Sequence, residues 1–589
     1  MNLLSLIQAR FHDALQQLVP DPQPYLAMIK PAQDAKHGDY QANCAMSLAK
    51  SLGKKPRDVA QEIVDRLELG DFLQKPEIAG PGFINVRLQD SWLAERLRGM
   101  ALDARLGVEP VSPARTIVID FSSVNVAKPM HVGHLRTTII GDALARLLRF
   151  MGHHVIADNH LGDWGTQFGI LLYGFKNLRE DAAFKTDPVR ELTRLYLAVR
   201  NLMQVDEDDD TRHDPIGNAC RLETARLHEG DPENVRLWKE FMPWCLEEIN
   251  QIYRRLDVVF DHTLGESFYQ PMLADVVQDL LDKGIAQVSK GAVAIFFGEK
   301  EPPALIRKTD CAFTYTTTDL ATVKYRVETF KADTALYVVD FRQSLHFKNV
   351  FDAARRWGYD KIELTHISFG SVLGKDGRPL KTREGGMVEL GALLDEAVSR
   401  AEQVYERAIQ EALDQGQTPA ILSPEEKAEV YQAIGLGAVK YADFCQNRNT
   451  DYKFDFDKML AMNGNTATYM QYAYARNRSI FLKSGEEVGR FRAQPPLPLL
   501  ESAHERALAL QLLRLEENLL VAAAEYQPNV ITSYLWDLAK AYSGFFQNCP
   551  VLKANTPALR ESRLLLCDLT GRVLKQCLEL LGIRTVERM

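Results

Sequence analysis

The sequence predicts a multidomain protein built on an α/β, Rossmann-like domain with a helical insertion, preceded by an α+β domain and followed by an all-α domain. Three observations lead there. Strand and helix patterns alternate from Thr116, give way to a long helical stretch at about 173–283, and resume with "ALYVVDFRQ" and "KIELTHISFGS", the order of a sheet carrying an inserted module. Ahead of it, residues 1–110 mix helix patterns with one short strand pattern, "PGFINVRL", and lead into the Pro-containing "GVEPVSPAR". Behind it, almost every segment reads as helix, and no internal repeat is visible. The domains are expected at 1–110, 115–396 and 397–589.

Within the first domain, "MNLLSLIQARFHDALQQL" is an amphipathic helix pattern, too polar for a signal peptide. No apolar run approaches membrane-spanning length, so a cytoplasmic protein with no membrane contact is expected. Eight cysteines are scattered without a C-x-x-C pair and read as reduced thiols. A net charge of −9 advertises no nucleic acid globally, but phosphate backbones are met by local patches. Across residues 440–492 basic side chains outnumber acids and aromatics are interleaved, as in "YMQYAYARNRSIFLK". That mixture suits RNA, and it equally suits a helical core with solvated cations.

The sheet domain opens with "TIVIDFS", a β-branched run that reads as a strand buried on both faces. The helix pattern "LRTTIIGDALARLLRFMG" follows, stopping at Gly152. Between them, in "NVAKPMHVGHLRTT", lie His131 and His134. Such a loop sits at the carboxyl end of its strand, where open parallel sheets bind ligands and free backbone N–H groups favour phosphate. Each imidazole offers a donor to an anion, and Gly133, lacking a Cβ, lets a flat base approach the backbone. The outline is that of an ATP site. A zinc pair would need further ligands, and neither His153, His154 and His160 nor the cysteines supply a recognised spacing. Two solvated surface histidines are the plain alternative. A second loop, "SFGSVLGKDGRPLKTREGG", places Lys375, Lys381 and Arg383 where they can reach over ATP and stabilise charge on the α-phosphate and departing pyrophosphate.

These motifs, with "GDYQAN", "IAGPGFINV", "NHLGDWGTQFG", "YTTTDLA", "GAVKYADF", "GNTATYMQYAYAR" and "TVERM", run along essentially the whole chain. The sequence resembles the class I aminoacyl-tRNA synthetases, and closely the arginyl-tRNA synthetases of bacterial type. The resemblance implies an aminoacyl-tRNA ligase that activates arginine with ATP to arginyl-adenylate and transfers it to the terminal ribose of tRNA(Arg), giving AMP and pyrophosphate. HVGH corresponds to the family's HIGH-type motif, which assigns His131, Gly133 and His134 to ATP and the transition state. "PLKTR" stands in place of the KMSKS-type loop and lacks its usual second lysine. Lys381 and Arg383 fall there, and Lys128, just upstream of HVGH, is the family's compensating cation. The family's adenylate step generally requires cognate tRNA.

A guanidinium is planar, permanently charged and matched by carboxylates and an aromatic face. Asp120 ends the strand before HVGH, and Tyr315 and Asp319 stand four apart, on one side of a helical turn. By resemblance these three surround the arginine side chain, while Asn125 and Gln343 hold its α-amino and carboxylate groups. Strand-end and helix-cap roles are the alternative for the two acids. The resemblance further implies Mg2+ arriving with ATP and no protein metal site, a first domain on the D-loop side of tRNA, a helical anticodon-binding domain, and a monomer. The turn Asp163, Trp164, Gly165 is a family signature for which a structural role is as well motivated as a ligand contact.

Overall fold

A computed structural model describes residues 2–203, 214–298, 301–380, 388–416, 421–487 and 489–589. The chain forms two compact units: Met1–Pro110 with Met462–Glu579 and Arg584–Met589, and Val111–Ala461 with Leu580–Ile583.

The second unit is organised by five strands, β1 (Thr116–Asp120), β2 (His154–Asn159), β3 (His262–Thr263), β4 (Thr334–Tyr337) and β5 (Glu363–His366), in the order β5-β4-β1-β2-β3. Every pairing is parallel. The segments that follow the five strands therefore all emerge at one end of the sheet. The chain builds outward from β1 through β2 to β3, then returns to β4 beside β1, so the strand order reverses between β1 and β4. That switch point is where open α/β sheets leave a crevice. The helix Gly133–Phe150 lies close under β1: a Cβ at Gly141 would stand 2.1 Å from the Phe121 ring.

Helices Thr166–Leu178, Asp181–Thr186, Pro188–Leu202, Pro215–His228 and Pro232–Arg255 fill the connection from β2 to β3. The insertion thus begins and ends earlier than the expected 173–283. Strand β3 is two residues long, too short to show a period. After the helix Leu273–Asp282 comes a small antiparallel sheet, Ala286–Ser289, Ala292–Ile295 and Ala304–Arg307, that the hydropathy pattern did not reveal. The helix Leu390–Asp414 runs through the boundary expected at 397. With Pro424–Phe444 it belongs to the sheet unit. The reason is physical: Gly435 lets the two helices meet backbone to backbone at Ala397, and Asp443 forms a fully buried 2.9 Å ion pair with Arg136, one turn into the helix after HVGH.

A second buried charge cluster joins the sheet itself. Arg326, on the helix Tyr315–Glu328, is 0% exposed and donates at 2.7 Å to both Asp120 and Asp158, the register partners at the ends of β1 and β2. Its guanidinium lies 5.0 Å from the centre of the Tyr337 ring. Removing one member of such a group strands the others in low dielectric. Arg326→Leu is expected to lower unfolding free energy by about 3–5 kcal/mol, measured by urea titration; a loss below about 1 kcal/mol, the range of exposed pairs, would contradict that account.

In the first unit a four-stranded antiparallel sheet orders Ile29–Pro31, Tyr40–Ala42, Phe83–Val86 and Glu77–Ala79, strands of three or four residues. The GDYQAN motif is used internally here. Asp39 takes both terminal nitrogens of Arg506 at 2.7 and 2.8 Å, and the buried Tyr40 donates its hydroxyl to Glu517 at 2.8 Å beneath the Arg514 guanidinium. These bonds fasten the N-terminal segment to helices Ala503–Leu513 and Leu515–Glu525. Of the eight cysteines, all unbridged, six are buried. Among the described residues no helix is long and apolar enough to cross a membrane.

Candidate active site

The HVGH turn follows β1 at the carboxyl end of the sheet. Its local structure explains its residue types. His131 Nδ1 accepts from the Gly133 N–H at 3.1 Å, and His134 Nδ1 accepts from the His131 N–H at 3.1 Å. The rings stack, with centres 3.9 Å apart and planes 25° apart. With both Nδ1 atoms acting as acceptors, the hydrogen-bond pattern assigns the proton of each ring to Nε2. Burial, then His131 and Lys128, push His134 down to about 3; burial, then Lys128, lower His131. Both imidazoles are neutral donors at physiological pH, and Lys128 supplies the formal charge beside them.

Gly133 also has a packing role. A Cβ there would stand 2.8 Å from His131 Cε1 and 2.9 Å from Nδ1, so the glycine makes room for the folded-back His131 ring. Gly133→Ala is expected to displace that ring and to reduce catalytic turnover by about 10- to 100-fold, the scale of an ångström misplacement. Unchanged turnover with an intact circular dichroism spectrum would refute the packing argument.

Two segments hold the turn. Asn125 pairs with Gly162 after β2, and its Oδ1 lies where a Gly162 Cβ would be. On the other side, Val132 donates to Val388 O and Leu390 to Met130 O, both at 2.9 Å. Residues just beyond the basic loop are thereby tied to HVGH by backbone bonds. Lys381 and Arg383 themselves lie outside the described residues. Lys375 is exposed and turns to Asp455 and Asp457 at 3.3 and 3.5 Å, a weak solvated contact.

The expected guanidinium contacts separate into two places. Asp120 also has partners within the fold: its Oδ2 accepts from Arg326 and its Oδ1 from the Ser123 hydroxyl, both at 2.7 Å. Arg326 stands 206 residues along the chain from Asp120, beyond the reach of local sequence. Tyr315 and Asp319 share the first turns of the helix Tyr315–Glu328, Tyr315 61% exposed and Asp319 largely covered. Gln343 ends the turn Phe341–Gln343 after β4, directly before the helix that carries His346, whose Nε2 is 2.5 Å from Asp319 Oδ2.

An acid absent from the sequence expectations joins Asp319. Glu266, in the first turn after β3, is half-buried, and desolvation first, then Asp163 and Asp319, push its pKa up to about 7 despite His160. Asp163 is itself fixed by the Ser267 N–H at 2.9 Å and hydroxyl at 2.6 Å, and a Cβ at Gly265 would collide with its carboxylate. A carboxyl raised by neighbouring carboxylates marks a place where an added cation is stabilised. In sequence, "GESFY" reads only as an acid favoured at a helix N-terminus. The turn Asp163–Gly165 is clamped by the insertion: Trp238 Nε1 donates to Asp163 O at 2.8 Å, His228 Nε2 meets Trp164 O at 2.6 Å, and the two tryptophan rings contact edge to face.

Comparison with known proteins agrees with this anatomy. Residues 101–456 match the family described as tRNA synthetases class I (R), catalytic domain; residues 470–589 match the DALR anticodon binding domain, and 5–88 the arginyl tRNA synthetase N terminal domain. The interval between the first two matches contains the unit boundary at 461/462. A protein of Rhodopirellula baltica named arginine--tRNA ligase is 43% identical, with 100% of both chains covered; one of Thermobifida fusca with the same name is 45% identical over 95% of each. Among solved structures, arginyl-tRNA synthetase from Plasmodium falciparum superposes with a TM-score of 0.81 at 27% identity, over 100% of this chain and 99% of that one. The Thermus thermophilus arginyl-tRNA synthetase gives 0.79, also at 27%, covering all of both.

Proposed function

The chain belongs to the class I arginyl-tRNA synthetase family, and on that premise we propose that it charges tRNA(Arg) with arginine, in two steps, at the carboxyl end of the parallel sheet. The observation that carries this reading is the juxtaposition of two neutral imidazole donors after β1 with two mutually repelling acids, Glu266 and Asp319, around the same sheet end. The first set suits a polyphosphate whose charge grows during reaction. The second suits a guanidinium.

In the first step the arginine carboxylate attacks the α-phosphorus of ATP, the bond to the β-phosphate oxygen breaks and pyrophosphate leaves. In the second, the terminal ribose hydroxyl of tRNA attacks the activated carbonyl and AMP departs. No covalent bond to the protein is needed, so catalysis is positioning and charge stabilisation. His131 and His134 donate from Nε2 to phosphate oxygens, and Lys128 adds a positive charge. Lys375, Lys381 and Arg383 act from the second loop on the pyrophosphate side. Tyr315, Asp319 and Glu266 receive the guanidinium, while Asn125 and Gln343 hold the α-amino and carboxylate groups. Mg2+ enters with ATP, since it keeps waters and favours substrate phosphates over an all-protein cage. The family match of residues 470–589 supports anticodon reading by the C-terminal helices, and that of 5–88 a D-loop-side role for the first segment. A monomer acting in the cytoplasm completes the proposal.

The test is ATP–pyrophosphate exchange with each of several amino acids, with and without tRNA(Arg). Exchange is expected with arginine and tRNA(Arg) together; none with arginine under either condition would reject the reading. A pH dependence follows from Glu266. Its carboxyl is raised to about 7, so acidification below that pH neutralises it and removes one of the guanidinium's partners. The KM for arginine is expected to rise by up to about tenfold per pH unit below 7, with the KM for ATP nearly constant. Glu266→Gln should reduce that slope; an equal slope in the variant would acquit Glu266.

A further inference from the structure

His346 was not among the residues the motifs single out, yet it makes the closest polar contact to Asp319. It is the third residue of the helix Ser344–Trp357, and its Nε2 lies 2.5 Å from Asp319 Oδ2, the two side chains 27% and 18% exposed. We propose that His346 is a positioning residue for arginine recognition, which fixes Asp319 through Nε2 and carries an extra proton while the pocket is empty, giving that proton up when the substrate's own charge arrives. The inference rests on the reading that Asp319 meets the guanidinium.

The geometry divides the labour of one carboxylate. With Oδ2 held by His346, Asp319 presents Oδ1 in a single orientation, and a planar guanidinium must complete its contacts on a second acid. Glu266, close enough for Asp319 to raise its pKa, is that acid. Charge balance supplies the second half of the argument. In the empty pocket the basic side chain bonded to Asp319 is the imidazole of His346. Asp319 raises the His346 pKa against the opposing effect of burial, so the imidazolium is the resident counter-charge. His366 on β5 feels His346 as a like charge, is itself lowered chiefly by burial, and keeps its Nε2 on Val339 O at 2.9 Å; Asp340 and Arg448 act on His366 with opposite signs. Phe347 packs edge-on against the His346 ring, its centre 5.3 Å away.

When arginine binds, its guanidinium replaces the imidazolium charge. His346 loses the proton on Nδ1 to solvent and retains Nε2–H toward Asp319. The hydrogen bond therefore survives the exchange, and only the charge changes hands. One arginine cation enters and one proton leaves, in addition to any proton released by Glu266.

The test is calorimetric titration of the full-length chain with L-arginine at pH 6, 7 and 8, in two buffers of different ionisation enthalpy, so that affinity and proton release are read together. His346→Gln keeps a neutral donor and is expected to bind arginine within about threefold of the parent at pH 8, with a shallower loss of affinity toward pH 6 and fewer protons released. His346→Ala removes the donor and is expected to weaken arginine about tenfold at pH 8, with ATP affinity within about twofold. The proposal is overturned if His346→Gln keeps the parental pH slope and proton release, if His346→Ala binds arginine as the parent does, or if it loses ATP and arginine equally. Asp319→Asn separates the two levels. Undiminished arginine binding in that variant defeats the underlying pocket assignment, whereas lost binding there with parental behaviour in both His346 variants defeats the His346 proposal alone.

Discussion

His134→Ala is expected to lower arginine-dependent ATP–pyrophosphate exchange, assayed with tRNA(Arg) present, by about 10²- to 10³-fold, the usual effect of removing one preorganised donor to developing charge. Two losses combine. The Nε2–H proposed to donate to a phosphate oxygen disappears, and the His131 N–H loses the acceptor that seats the turn. Because burial pushes His134 down to about 3, the ring acts as a dipole and not as a cation. His134→Asn, which retains a neutral donor, should therefore recover part of the rate, while a lysine in its place should not. The helix Gly133–Phe150 is anchored elsewhere by Arg136 and by the Gly141 contact, so thermal stability should change little. Near-parental exchange in a folded His134→Ala protein would remove HVGH from the chemistry.

Asp319→Asn is expected to raise the KM for arginine by about 10- to 100-fold and to leave the KM for ATP near its parental value. The substitution keeps size and shape and removes the charge, and a hydrogen bond to a charged partner contributes about 1.5–3 kcal/mol. Parallel losses for both substrates would assign Asp319 to the helix instead of the pocket. The measurement is steady-state aminoacylation with each substrate varied in turn.

How far these sites were legible depended on the range of the interaction that makes them. The HVGH turn was readable because its determinants are local: a β-branched strand, two imidazoles three residues apart and an amphipathic helix. The bond from Arg326 to Asp120 was not readable, because Arg326 comes from a helix after the whole insertion. Glu266 was hidden by its position, since an acid at a helix start has a sufficient local explanation. The boundary at 397 was misplaced for a related reason: helical periodicity records that a face is buried, not against what. Gly435 and Asp443 decide that question, and both act through partners far away in sequence. Strands of two to four residues, such as His262–Thr263, carry too few positions to display alternation.

The buried Arg326 and the proposed arginine pocket are two settings for a guanidinium, and their contrast bears on turnover. Arg326 lies in a dry interior with two carboxylates and a tyrosine ring closed around it, and such an arrangement is permanent on the timescale of the folded state. The outer setting uses similar chemistry, acids and an aromatic ring, but Tyr315 is 61% exposed and the Asp319–His346 pair keeps access to water. A ligand held there can be rehydrated as it leaves. Engineering the outer pocket toward the inner one, by enclosing it with apolar side chains, should lengthen the residence of arginine and slow its exchange, so that tighter grip is gained at the expense of the number of tRNA molecules charged per enzyme per second.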